Sequence, residues 1–285
     1  MKILFCTKND LFGALILNWL LPKLHGHQVA VFLSDKTRPA ENDVIELADE
    51  KFFERDLPLG IVFPRLDRQG EYGNLLTFKA LSAKYGIGIS TVNTINSTEM
   101  EASIRKWAPD IIVSARFSLI FKQNILQIPR FGAYNIHPGT LPGYAGLCAP
   151  FRALLNQDET LGCTLHQIDL GIDTGPIHSV SKLQANPNKS VFWHIGELYP
   201  LGLAKLIELL DELDQGKAPQ LQKQETTSFR YYKLPATPDF HRFRSLGLRA
   251  VDLEEYGTLL GKFSPDRQLD WISATLSAER QARAA

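Results

Sequence analysis

Lys2-Ile3-Leu4-Phe5-Cys6, then Thr7-Lys8-Asn9-Asp10, then an apolar run from Leu11 and finally Gln28-Val29-Ala30-Val31-Phe32-Leu33: this opening decides the fold class. Residues 2–6 read as a buried first strand, because an unbroken apolar run of that length suits a strand covered on both faces. Residues 7–10 form a polar loop. From 11 to 24 the apolar residues recur at helical spacing, and Gly26 marks the end. Residues 28–33 are β-branched and apolar enough for a second strand. Strand, helix and strand in this order predict a right-handed parallel crossover, the unit of a doubly wound α/β fold.

Outward from there the pattern repeats. Residues 43–53 read as a helix, 60–63 as a short strand, 74–85 as a helix and 87–92 as a strand. Ser97 stands before a helix over 99–107, which a serine cap would start. Residues 110–115, 132–137, 162–168 and 177–183 read as strands, and 190–213 as a long last helix. Residues 215–219 look like a linker. Beyond it lie an extended piece at 228–234, Pro235 and Pro238, and mixed polar and helical segments. The expected organisation is a main unit over 1–214 and a small C-terminal extension over 215–285.

The 285 residues are 44% apolar and 22% charged, ordinary usage for a folded protein. Lys and Arg number 31 against 31 Asp and Glu. That balance argues against a broad surface for nucleic acid or anionic membrane, which needs net positive charge, although a local basic patch remains open. Cys6, Cys148 and Cys163 form no C-x-x-C pair, so reduced thiols and a cytoplasmic location are expected. The apolar run at 11–21 is too short to span a membrane, and no cleavage pattern follows it.

No G-x-G-x-x-G follows the first strand, and no P-loop, G-x-S-x-G or H-E-x-x-H occurs. His25 and His27 read as a surface turn rather than a metal pair, and no metal site is expected. Chemistry gathers instead in Tyr134-Asn135-Ile136-His137-Pro138-Gly139-Thr140-Leu141-Pro142-Gly143. Residues two apart on a strand share a face, so Asn135 and His137 project together. Pro138 and Gly139 end the strand, leaving an amide and an imidazole at its carboxyl end, where open α/β sheets bind ligands. The two side chains either do chemistry there or satisfy a buried turn. A second segment, Asp169-Leu170-Gly171-Ile172-Asp173-Thr174-Gly175, carries two carboxylates in a glycine-punctuated loop. Its aspartates either cap turns or orient an imidazole.

Together the two segments resemble the folate-dependent formyltransferase family. The resemblance rests on Asn135-Ile136-His137-Pro138 with Leu141-Pro142 and Gly146 after it. It rests also on the later Asp-x-Gly-x-Asp-Thr-Gly loop, in which Asp173 follows His137 by 36 residues. It covers about residues 1–210 and is firmest over 109–177. It implies a Rossmann-like, doubly wound, mostly parallel catalytic domain and N10-formyltetrahydrofolate as the formyl donor. It implies Asn135, His137 and Asp173 as the catalytic residues. The backbone at Leu119 and Phe121 and of the loop at Asp169, Leu170 and Ile172 would meet the folate. In that reading His137 and Asn135 stabilise the oxyanion and Asp173 relays the amine proton.

The acceptor is less defined. The family's glycinamide ribonucleotide enzymes carry a Gly- and Ser-rich phosphate loop after the first strand, where this chain has Cys6-Thr7-Lys8-Asn9-Asp10. Sugar-nucleotide N-formyltransferases are similar in size, and a nucleotide-linked aminosugar is the leading expectation. Lys8, Asn9, Tyr144 and Arg152 are the candidate substrate contacts. Methionyl-tRNA is a second candidate. Residues 221–285 hold ten basic and eight acidic residues, with Arg230, Lys233, Arg242, Arg244 and Arg249 clustered against Asp239. Asp270-Trp271 resembles a pair found in the tRNA enzymes. An amino acid or hydroxyornithine of peptide biosynthesis is a third candidate, and a non-catalytic binding module stands outside the enzyme class. Phe229, Tyr231 and Tyr232 are candidates for a homodimer contact.

Overall fold

The computed structural model describes residues 1–265. Its strands are β1 (Lys2–Lys8), β2 (Gln28–Ser34), β3 (Gly88–Val92), β4 (Ile111–Ala115), β5 (Ala133–His137), β6 (Ala145–Gly146), β7 (Thr160–Gln167), β8 (Ile177–Gln184) and β9 (Tyr231–Tyr232). Seven of them make one sheet in the order β3-β2-β1-β4-β5-β7-β8. The pairs among β3, β2, β1, β4 and β5 are all parallel, whereas β5–β7 and β7–β8 are antiparallel. The sheet is therefore the mostly parallel, doubly wound one that the opening residues predict. Chain order reverses beside β1, so a crevice opens between the carboxyl ends of β1 and β4.

The strands are apolar for a physical reason. Helices cover both faces, and Ile3 and Phe5 pack on one side while Leu4 and Cys6 pack on the other. Helix α1 (Leu11–Leu20) starts where the Asp10 carboxylate accepts the Gly13 N–H. The helix Val191–Asp214 lies on the face that carries Tyr134 and Ile136 of β5. A Cβ at Gly202 would come 2.5 Å from Ile136 Cγ2 and 2.6 Å from Cys163 Sγ, so only glycine lets this helix lie so close. Asn135 and His137 consequently face the opposite side.

One expected strand is a helix. Residues 60–63 belong to a continuous helical stretch that runs from Ile45–Lys51 through π-helical turns at Phe52–Asp56 and Pro58–Val62 into Phe63–Gln69. A short apolar run has no periodicity that separates a buried strand from a buried helix. Here Pro58 and Pro64 stand at the first or second positions of helical turns, where a missing N–H costs nothing. The helix expected from 74 begins instead at Phe78, because Thr77 caps it by accepting the Ala80 N–H. Ser97 does cap the helix Thr98–Trp107, as its position predicts.

Residues 215–265 return to the main core. Phe240 and Phe243 pack on Phe151, with ring centroids 4.9 and 4.3 Å away. Tyr256 lies edge-on to Phe53 at 5.1 Å and donates its hydroxyl to the Phe53 carbonyl at 2.7 Å. Strand β9 pairs in parallel with β6, just beyond the Pro138–Pro142 turn. Asp270, Trp271 and the residues after 276 lie outside the described residues.

Candidate active site

The crevice at the carboxyl ends of β1, β4 and β5 holds a cavity of about 310 Å³. Asn135, His137 and Asp173 all line it, as do Lys8 and Ile172. Two motifs far apart in the chain thus meet where an α/β sheet presents its ligands.

Asp173 is the centre of a small polar network. Its Oδ2 lies 3.6 Å from His137 Nδ1 and accepts the Gly146 N–H at 2.8 Å. Its Oδ1 lies 3.5 Å from His166 Nε2. Burial alone would raise the pKa of this carboxyl. The His137 and His166 imidazoles and the Gly146 amide outweigh it and hold the group well below the usual carboxylate range. A fixed anion between two imidazoles is the result.

The histidines are oriented from behind. His137 Nε2 lies 2.6 Å from the Tyr144 carbonyl, which only accepts, so this nitrogen carries a proton and Nδ1 is turned toward Asp173. His166 Nδ1 likewise donates to the Gln167 carbonyl at 2.9 Å. Its Nε2 is 3.3 Å from Asn135 Nδ2. Neutral, His166 accepts from that amide; protonated, it donates to Asp173. His166 was not among the residues singled out from the sequence. It stands on β7 directly opposite Asn135, and only the antiparallel register between β5 and β7 reveals the pairing.

The loops that carry the site are held in uncommon conformations. Arg116, Cys148 and Asp173 have φ of 61°, 54° and 56°, and all three line the cavity. Side chains rarely adopt this left-handed region unless the surroundings hold them there, and it clusters at functional sites. Arg116, at the end of β4, reaches Asp10 at 2.8 Å and Glu54 at 2.9 Å. Gln224 donates to the carbonyls of Asp173 and Gly175, tying the C-terminal segment to the aspartate loop.

The remaining sequence-singled residues scatter. Lys8 lies 4.0 Å from Glu41. Asn9 donates its backbone N–H to Ser34 and is not part of the cavity wall. Tyr144 stacks on Tyr232 at 5.6 Å and donates its hydroxyl to Asp158, away from the cavity. Arg152 pairs with Asp239 at 2.9 Å and stands over Tyr232. Phe121 is buried and stacks on Phe117 at 5.3 Å, while Leu119 packs against the same cluster. Asp169 accepts from Gly171 N–H and Thr174 Oγ1, the turn-capping geometry; Leu170 beside it is 67% exposed. His27 lies 3.6 Å from Asp214, and among the described residues no cluster could hold a metal ion. Among them, too, no helix is long and apolar enough to cross a membrane.

One wall is unfinished in a telling way. Ser118 Oγ is buried there with no hydrogen-bond partner among the described residues. On the same wall Ile120 is 61% exposed and Ile172 43% exposed. Bare apolar side chains beside an unsatisfied hydroxyl suit a flat ligand with polar edges.

The chain is similar to known proteins in both sequence and fold. It is 32% identical over 171 residues to a methionyl-tRNA formyltransferase of Dehalococcoides mccartyi, covering 59% of this chain and 54% of that one. It is 30% identical over 202 residues to the Aromatoleum aromaticum protein of the same name, covering 69% and 63%. The chain thus spans about half to two thirds of the length of these relatives. Among solved structures, a sugar N-formyltransferase from Shewanella shares the fold with a TM-score of 0.54 at 17% identity, covering 86% of this chain and 87% of that one. A phosphoribosylglycinamide formyltransferase from Anaplasma phagocytophilum does so at 0.55 and 15%, covering 82% and 99%. The formyl transferase family model matches residues 1–192, and with both of its motifs converging on one cavity the chain belongs to the formyltransferase family.

Proposed function

We propose that this protein is an N-formyltransferase that moves the formyl group of N10-formyltetrahydrofolate to the amine of a small acceptor. The observation that carries the reading is the convergence of Asn135, His137 and Asp173 on one cavity at the switch point of the sheet. Solved relatives contain folates: a sugar 3N-formyltransferase holds 5-N-formyl-THF and HypX from Aquifex aeolicus holds tetrahydrofolic acid. Here the wall formed by Ser118, Ile120 and Ile172 would hold the pterin end of the donor. The backbone at Leu119, Phe121 and the loop at Asp169 and Leu170 would flank it. Bound there, the donor supplies an electrophilic formyl carbon and a leaving nitrogen.

The protein's part is electrostatic and proton-handling. As the amine adds, negative charge grows on the formyl oxygen, and the Asn135 amide stabilises it together with the His137 imidazole, which takes a proton at Nδ1 while its Nε2–H stays on the Tyr144 carbonyl. Asp173 takes up the positive charge that builds on His137 and relays the proton of the attacking amine.

A nucleotide-linked aminosugar fits the acceptor side best. Tyr231, 45% exposed, lines the cavity from the C-terminal segment and offers a ring face for a base. Lys8, Arg38, Lys51 and Arg55 line the same cavity; they pair with Glu41, Asp56 and Asp35, and a diphosphate there would compete with those carboxylates for their charge. The N-terminus of α1 is taken by Asp10, so a phosphate has no place at that helix end. Methionyl-tRNA is the second reading, favoured by the names of the sequence relatives. Against it, Arg244 and Arg249 of the basic cluster are spent on Glu46 and Asp252. A cytoplasmic location is part of the reading, supported by Cys6, Cys148 and Cys163 being free thiols. A homodimer through Phe229, Tyr231 and Tyr232 remains part of the proposal.

The test is tetrahydrofolate release with aminosugar nucleotides, methionyl-tRNA and hydroxyornithine. His137→Ala and Asn135→Ala should each lower turnover by about a hundredfold or more while melting as the parent does. Near-parental turnover in either variant would refute these roles, and release with tRNA alone would overturn the ranking of acceptors.

A further inference from the structure

The cavity wall carries one carboxyl that has no hydrogen-bond or ion-pair partner among the described residues. Asp173 is held by two histidines, and Glu54 by Arg116, which it shares with Asp10. Glu41 lies 3.5 Å from Arg38 and 4.0 Å from Lys8. Glu50 lines the same cavity and has no hydrogen bond or ion pair among the described residues. It comes from the helical stretch with the π-helical turns, a distortion frequent at functional sites. The charged and titratable groups that act on it are Glu54, Glu46 and Asp49 from its own stretch, Arg116 from the end of β4 and the Cys148 thiol. Burial pushes its pKa up to about 8, Glu54 adds to the rise, and Arg116 offsets only part of it. A half-buried carboxyl poised near neutrality, unpaired and facing a reaction cavity, awaits a donor from the substrate.

We propose that Glu50 receives the reactive amine of the formyl acceptor: the ammonium docks on this carboxylate, leaves one proton on it and attacks the formyl carbon as the neutral amine. The proposal rests on the formyl-transfer reading but not on the aminosugar. The atoms balance as follows. A primary ammonium brings three N–H protons. The first passes to Glu50 and on to solvent. The acceptor nitrogen bonds to the formyl carbon as the bond from that carbon to N10 breaks. The second proton passes by way of Asp173 and His137 to N10, and the third stays on the formamide. A neutral amine is needed because an ammonium has no lone pair to attack with. A group that titrates close to the working pH both takes and sheds a proton at little cost.

The test uses the whole chain, parent and Glu50→Gln, with binding of 5-formyltetrahydrofolate as the control for fold and donor site. For whichever of the aminosugar nucleotides, hydroxyornithine or methionyl-tRNA releases tetrahydrofolate, Glu50→Gln should raise KM for the amine by about tenfold or more. It should flatten the rise of kcat/KM between about pH 6 and 9 and leave folate affinity unchanged. An unchanged KM and pH profile overturns the role of Glu50 and leaves formyl transfer standing. Release with none of the amines sinks the formyl-transfer reading instead. Glu50 is then decided alone by carbon-13 NMR of the glutamate carboxyls as methylammonium is added. The resonance lost in Glu50→Gln should move to its ionised position, and no movement overturns the proposal.

Discussion

Asp173 lies 3.5 Å from His166, which pairs directly with Asn135 between β5 and β7, and 3.6 Å from His137, so the loop aspartate sits between imidazoles carried by two adjacent strands. Removing its charge while keeping its shape isolates the electrostatic part. Asp173→Asn should lower turnover by about a hundredfold or more, read as tetrahydrofolate release. The same variant has a stability signature with a definite sign. A carboxyl held below its ordinary range stays charged in the folded chain when the unfolded chain has begun to bind protons. The stabilisation is full above the ordinary aspartate range, about pH 4, and is lost as the pH falls below it. Melting curves from pH 6 down to pH 3 should fall more steeply for the parent than for Asp173→Asn.

Gly139 is fixed by the histidine beside it. A Cβ there would lie 2.6 Å from His137 Nε2, 2.7 Å from Ala149 Cβ and 2.9 Å from the Tyr144 carbonyl. Gly139→Ala therefore forces the imidazole off its carbonyl partner. We expect turnover to drop by about tenfold or more, with a loss of about 1–3 kcal/mol of stability as Ala149 and the Tyr144 carbonyl also give way. Full activity in this variant would show that the His137–Tyr144 contact does not orient the ring.

Cys148 lines the cavity, yet its thiol is a poor nucleophile. Burial pushes its pKa up to about 12, and the carboxyls of Glu50 and Glu54 add to the rise. Because the thiolate is the reactive species, iodoacetamide at pH 8 should label the native protein far more slowly than the unfolded chain. Mass spectrometry of the labelled peptides checks this, and fast native labelling would contradict it.

Phe243 joins the C-terminal segment to the main unit through its stack on Phe151. Both rings are almost fully buried. Phe243→Ala should cost about 3–5 kcal/mol of unfolding free energy, measured by denaturant titration. A cost below about 1 kcal/mol would mean that the segment contributes no core packing of its own.

The parts of the fold that read directly from sequence are those whose burial is uniform. Lys2–Lys8 and Ile111–Ala115 are strands covered on both faces, and their apolar runs say so. The shared face of Asn135 and His137 follows from a period of two and needs no partner. Residues 60–63 misread as a strand because three apolar side chains in a row carry no period. Glu50, Arg116 and His166 were invisible for a different reason. Each acquires meaning only through groups remote in the chain: Arg116 through Asp10 and Glu54, His166 through Asn135, Glu50 through the cavity itself. Local pattern reports what a residue is covered by, and only the assembled sheet reports what it faces.

The pairing of β9 with β6 has a consequence in time. Leu147 donates its N–H to the Tyr232 carbonyl, and Tyr231 and Leu234 close one side of the cavity. During synthesis the chain brings Asn135, His137 and Asp173 out of the ribosome well before these residues. The sheet and its polar network can form on the nascent chain, but the side of the cavity lined by Tyr231 and Leu234 arrives only when the segment beyond residue 230 has emerged and docked. That side of the cavity is thus completed after the sheet and its polar network as the chain is made.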